Sequence, residues 1–258
     1  MSRSVSATPL AITAHIEGRP ASRADVLAWE SRRAANVAKK LGITLPSTDV
    51  ATLREAIVER KLELGHDGIE RLLARELRWS ERAGQVGSAL SRERRRDSTI
   101  ELTAEAGTAE LVPRWYANAI TANDEVPLIA ACPDHYVLRT RTDGAQEVIE
   151  TTGGAPLAVR MFFDASDLRT LKTPADPAFP VQWTGVARNG RGVPLGGIRH
   201  QFRDETYGFH VRLTVEFPIT TPPHMIRAHR WHLACEFSNW IEAANSSSAG
   251  SDDIPRSA

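Results

Sequence analysis

His232 and Glu236 stand four residues apart in the segment from Pro222 to Trp240, where Met225, His229, His232, Glu236 and Trp240 recur at helical spacing. On a helix such a pair stacks one turn apart on one face. That face otherwise reads as core, so a buried imidazole and a buried carboxylate each need a partner, and a divalent cation serves both. Two candidates lie upstream. His135 marks the point where a short helical stretch hands over to extended chain, and Glu150 shares a strand face with Val148 and Thr152. Two nitrogens and two carboxylates suit a borderline ion such as zinc and leave a position for water or substrate. Glu147 is the rival for the strand position, and His229 reads as a bystander. Cys132-x-x-His135 with His232-x-x-Cys235 offers a different, two-Cys two-His set, although Cys235 is rotated off the Glu236 face. His200, between Ile198 and Phe202 on an apolar strand face, points inward as either a core histidine or an acid/base.

The elements that must position these residues fall into two parts. Residues 1–20 read as a loose N-terminus ended by Gly18-Arg19-Pro20. Residues 21–97 read as a small all-α module. Ser22 caps a helix over 23–41 that Gly42 ends, a second helix runs from 48 to 64 up to Gly65, and a third covers 67–82. The charge run from Ser91 to Ser98 reads as a linker. Residues 98–245 read as the functional domain: a strand near 99–102, short helices around Trp115–Ile120 and 126–131, then strands at 136–140, 147–152, 157–163, 181–188, 193–203 and 209–217. Asn189-Gly190 is a hairpin turn. The helix after Pro222-Pro223 closes this domain, and 246–258 read as a disordered tail. The predicted fold class is α+β, a curved antiparallel sheet around a long C-terminal helix.

A chain of 258 residues with 41% hydrophobic and 25% charged residues is an ordinary soluble composition. Two cysteines do not make a disulfide scaffold. No apolar run approaches the ~20 residues of a membrane span, and no signal peptide stands out, so a cytoplasmic protein is the expectation. Residues 1–100 carry 18 Lys/Arg against 13 Asp/Glu, and the remainder 14 against 19. That asymmetry reads as solvated helix faces; without a recognition-helix signal, nucleic acid is not an expected partner. A homodimer through the helical module stays open.

The element order is the plan of the helix-grip fold of the START and polyketide-cyclase superfamily. Cys132-Pro133-Asp134-His135-Tyr136, Glu150-Thr151-Thr152-Gly153-Gly154 and His232-Leu233-Ala234-Cys235-Glu236-Phe237-Ser238-Asn239 resemble the diacetylphloroglucinol hydrolase / phloretin hydrolase family, over roughly residues 105–245. The resemblance implies a hydrolase acting on carbon–carbon bonds in ketonic substances. It implies one Zn2+ per chain on His135, Glu150, His232 and Glu236, and a small hydrophobic aromatic ketone as substrate. Zinc chemistry there means a polarised ketone oxygen and a water of lowered pKa. The departing ring carbon needs a proton, for which His200, Tyr136 and Tyr207 are candidates. Met161, Phe163, Trp183 and Phe202 are the expected substrate wall. The competing expectation is a metal-free helix-grip module that binds or senses a small hydrophobic ligand, with the N-terminal helices as its output.

Overall fold

The clean alternation of the last strand finds its place in the middle of a large sheet. A computed structural model describes residues 10–251. Along the chain it has β1 (Ile12–Ile16), β2 (Arg19–Ala21), α1 (Arg23–Leu41), α2 (Val50–Ser91), β3 (Arg95–Ala104), α3 (Leu111–Ala122), α4 (Val126–Ala130), β4 (His135–Thr140), β5 (Gln146–Glu150), β6 (Val159–Asp164), β7 (Val181–Arg188), β8 (Pro194–Asp204), β9 (Phe209–Pro218) and α5 (Pro223–Ser251). The strands form one antiparallel sheet in the order β2-β1-β3-β9-β8-β7-β6-β5-β4. The fold is therefore α+β, with a large antiparallel sheet and a long C-terminal helix. None of its described helices is long and apolar enough to cross a membrane.

One core lies between the inner face of the sheet and α5. Phe209, Val211 and Leu213 of β9 alternate into it beside Ile100 and Leu102 of β3, and meet Leu233, Phe237 and Ile241 of α5. A second core lies on the outer face, where Val37 and Leu41 of α1 and Ile57 and Leu73 of α2 cover Tyr136, Val137 and Ile149. Ser22 caps α1 in a reciprocal capping box with Asp25, and Gly42 ends it in the left-handed conformation at φ 68°. α2 kinks at Gly65, where φ is 59° and ψ 177°, and then continues well past residue 82 to Ser91.

Three expectations are corrected. Residues 12–21 are not loose: Ile12, Ala14 and Ile16 alternate into the core and pair with β3. A five-residue alternation is too short to stand out from loop sequence. The charge run at 91–98 is no linker, since Arg95–Asp97 open β3 and pair with β9. Residues 246–251 extend α5 instead of starting a tail. Residues 1–9 of the expected loose terminus and 252–258 of the expected tail lie outside the described residues.

Five-residue α4 has carbonyls at its C-terminal end that no intrahelical donor can reach. Three distant elements satisfy them. His135 Nδ1 lies 3.2 Å from the Leu128 oxygen, Lys61 Nζ donates to Ile129 at 3.3 Å, and Asn239 Nδ2 donates to Ala131 at 2.6 Å. Lys61 is the expensive member. It is 1% exposed, and burial lowers its pKa to about 8 from 10.5. Below pH 8 it is charged in both folded and unfolded chains, so its desolvation cost is full. Between pH 8 and 10.5 the folded protein releases the proton first, and stability rises with pH. Lys61→Met sheds a desolvation cost of about 3 kcal/mol at pH 7 but leaves the Ile129 carbonyl without its donor, at about 1–3 kcal/mol. It is therefore expected to match or modestly exceed the parent at pH 7 and to fall below it above pH 10.5. In urea titrations the difference should shift toward the parent between pH 8 and 10.5; a difference that ignores pH would show the ammonium is not desolvated.

Candidate metal centre

His135 begins β4 and Glu150 ends β5, and the two are direct partners across the antiparallel pair. A bulge follows His135. Because of it, Tyr136 and Val137 both face the outer core while His135 and Leu138 face inward. Along β5 the period-2 rule sends Val148 and Glu150 inward and Glu147 and Ile149 outward. Glu147 is consumed there by Arg139 at 2.8 Å and Arg160 at 3.1 Å, which leaves Glu150 as the strand carboxylate at the site.

α5 brings His232 and Glu236 against this pair. The close approach depends on Gly153, whose φ is 50°; a Cβ there would stand 2.5 Å from the His229 Cα. Only glycine accepts both the backbone conformation and the contact. With the helix seated, His135 Nε2 lies 3.2 Å from His232 Nε2, 3.6 Å from a Glu150 oxygen and 3.6 Å from a Glu236 oxygen. His232 Nε2 lies 3.9 Å from Glu150 and 4.0 Å from Glu236. The other ring nitrogen of His232 faces Cys132 Sγ at 3.7 Å. Cys132, His135 and His232 are all buried, offer ligand atoms within 4.8 Å of one another, and form a group that could hold a metal ion.

The spacing of these donors is that of a group able to hold a metal ion. Ligand atoms at about 2.0–2.1 Å from one tetrahedral ion stand about 3.3 Å apart, close to the separations here. The hydrogen bond from His135 to Leu128 holds the Nδ1 proton and leaves Nε2 bare, as a metal-ligating histidine requires. Electrostatics agree. Burial pushes His135 down to about 3 and His232 well below the ordinary range. It raises Glu150 to about 8 and Glu236 well above the carboxylate range, the latter helped by the charge of Glu150. With no cation present, burial disfavours the charged form of all four groups. A dication favours the ionised carboxylates and bare imidazoles instead.

His232, Glu150 and Glu236 line a cavity of about 480 Å³, and His135 stands behind them, its Nε2 3.2 Å from that of His232. Met161, Phe163 and Trp183 line it from the strands, as does His200. Besides His135, three expected site residues do not. Tyr136 is 1% exposed in the outer core, because as the next residue after inward-facing His135 it takes the opposite face of the strand. Tyr207 is 82% exposed in the β8–β9 hairpin beside Gly208 at φ 78°. Phe202 is sealed against Phe237, its ring 6.5 Å away, and takes no part in the cavity wall.

Other residues enter that spacing alone does not single out. Tyr116 of α3 packs 4.4 Å from Trp183 and 5.1 Å from Trp240, forming an aromatic wall beside Glu236. Burial, and then the charges of Glu236 and Glu150, raise its pKa and keep the phenol protonated. His229 is no bystander: its ring stacks on His232 at 5.4 Å, and its Nδ1 lies 2.9 Å from Ser98 Oγ. Trp240 continues the His232–Glu236 stripe by one turn, a signal that sequence spacing does carry; Tyr116 carries none. No family model, no curated protein and no solved structure matches this chain.

Proposed function

We propose that the chain is a zinc-dependent hydrolase on a helix-grip scaffold of the START and polyketide-cyclase kind, cleaving the carbon–carbon bond between an acyl group and a phenolic ring as the diacetylphloroglucinol hydrolase / phloretin hydrolase family does. One observation carries the reading: His135 and His232 stand 3.2 Å apart at Nε2, with oxygens of Glu150 and Glu236 3.6–4.0 Å from them, where β4, β5 and α5 meet beside an aromatic cavity. Zinc held there would supply Lewis acidity toward a ketone oxygen and toward water.

The remaining work falls to the chain's own groups. Hydrolysis adds the hydroxyl of water to the acyl carbon and a hydrogen to the ring carbon, releasing a carboxylic acid and a phenol. Tyr116, Trp183 and Trp240 offer faces for the ring. Tyr116, protonated, is a hydrogen-bond donor beside the carboxylates. His200 is 3% exposed, has no hydrogen-bond partner for Nδ1 among the described residues, and is held neutral near pH 7 by burial, which lowers its pKa to about 3. It is suited to accept a hydrogen bond from a ring hydroxyl and to relay a proton.

The test is elemental analysis of purified protein together with acid release from diacetylphloroglucinol and phloretin. One zinc per chain and acid release are expected. Tyr116→Phe should lower kcat about tenfold, the worth of one hydrogen bond to a charged group, while Tyr207→Phe leaves it unchanged. Protein without stoichiometric metal would sink the proposal.

A second ligand set has its own support in the buried Cys132–His135–His232 group. Burial raises the Cys132 thiol well above its ordinary pKa, so it binds a metal only by giving up a tightly held proton. The neutral thiol instead suits a partner for His232 Nδ1.

A further inference from the structure

We propose that Arg33 of α1 is a positioning residue for the metal centre, setting His135 and Glu150 through a clamp made with Asp134 and Thr151; this rests on the zinc reading above. Arg33 grips Asp134 with both arms of its guanidinium, Nε to Oδ2 at 2.8 Å and Nη2 to Oδ1 at 2.5 Å. The Asp134 side chain is fully buried. Thr151 donates its hydroxyl to the same Oδ1, and its backbone N–H donates to the Asp134 carbonyl at 3.1 Å. Asp134 and Thr151 are the immediate chain neighbours of His135 and Glu150.

The placement matters because the ladder is weak there. His135 is the first residue of β4 and Glu150 the last of β5, and the bulge follows at once. Beyond Glu150 the chain runs into Gly153 and Gly154, both at positive φ. Glu150 pairs with Val159 of β6 as well as with His135, but along the chain the ladder runs on from each ligand in one direction only. The clamp holds the other side, one residue further out on each strand. Its anchor is rigid, since α1 is capped at both ends and buries Val37 and Leu41 in the outer core. A planar fork on a carboxylate fixes orientation as well as distance, which an ammonium cannot do. The N-terminal helices thereby belong to the centre, although they contribute none of the four ligands.

The experiment measures zinc affinity of the full chain by competition with a chromophoric chelator, and the visible spectrum of the cobalt-substituted protein. Arg33→Met is expected to weaken zinc about 10–100-fold, the usual cost of losing an outer partner of a ligand, and to change the cobalt bands. Arg33→Lys, which keeps the charge without the fork, should restore part of the loss. Lys40→Met breaks another α1 tether, the 2.5 Å ion pair to Glu76, and should leave affinity within about twofold. If Arg33→Met fails to fold, Thr151→Val gives the reading, with a loss of about tenfold expected. Affinities and spectra of the folded Arg33 and Thr151 variants equal to the parent's overturn the clamp while the zinc reading stands. Parent protein that binds no zinc overturns that reading, and the clamp with it.

Discussion

Glu236→Gln and His232→Asn are each expected to weaken zinc binding by about two orders of magnitude and to remove turnover of acylated phenols at limiting metal. Four-ligand zinc sites bind with about 10–16 kcal/mol, so an equal share per ligand is roughly 3 kcal/mol, or on the order of a hundredfold. The same variants address which donors are used. His232 has two ring nitrogens, one 3.2 Å from His135 Nε2 and the other 3.7 Å from Cys132, and one ion takes only one of them. If the carboxylates are ligands, Cys132→Ser should cost only a few-fold, as an outer partner of His232. If the thiol is the ligand, Cys132→Ser should cost the hundredfold and Glu236→Gln little. Dialysis against chelator, reloading and elemental analysis separate the outcomes. Unchanged zinc affinity in both Glu236→Gln and Cys132→Ser would leave neither set standing.

The zinc-free protein should be most stable near pH 6.5 and fall away on both sides. Toward acid, burial holds His135, His200 and His229 at about 3 in the folded state, against an ordinary value of 6.5 in the unfolded chain. Between those values the unfolded chain binds more protons, so stability drops as pH falls. Toward base, Glu150 is raised to about 8 from 4.5, and Glu236 is raised well above 4.5. There the folded chain binds more protons, so stability drops as pH rises through this window. The windows overlap between 4.5 and 6.5, where the histidines outnumber the carboxylates and set the slope. From pH 6.5 to 8 Glu150 acts for about 2 kcal/mol, and Glu236 pulls in the same direction. Zinc should abolish this alkaline limb, because it binds the ionised carboxylates. Urea titrations with and without chelator measure it. A chelated protein with no alkaline limb would mean the two carboxyls are not held neutral by burial, and Glu150→Gln with Glu236→Gln should flatten the limb.

Much of the sheet is legible in the sequence because local alternation and turns write it directly. β9 alternates over its whole length and Pro222-Pro223 announces α5, while the turn expected at Asn189-Gly190 is a loop over 189–193 whose left-handed residue is Gly192. The short strands β1 and β2 are not legible, since few residues carry too little periodic signal. At the site, the i, i+4 rule aligns His232 with Glu236, whereas the choice between Glu150 and Glu147 waited on the structure, where Arg139 and Arg160 hold Glu147 on the outer face. Tyr136 and Tyr207 escape such reasoning for opposite reasons: one lies on the back of its strand, the other in a hairpin turn.

By itself the sequence determined which faces carry chemistry, because side-chain direction along a helix or strand follows from backbone geometry a few residues at a time. Only the tertiary structure decided what those faces meet. His135 and His232 are 97 residues apart, Arg33 and Asp134 are 101 apart, and Tyr116 reaches the centre from a helix with no distinctive spacing. Such meetings depend on how the sheet, α5 and the N-terminal helices pack together, and on Gly153 letting α5 come close, none of which local periodicity encodes.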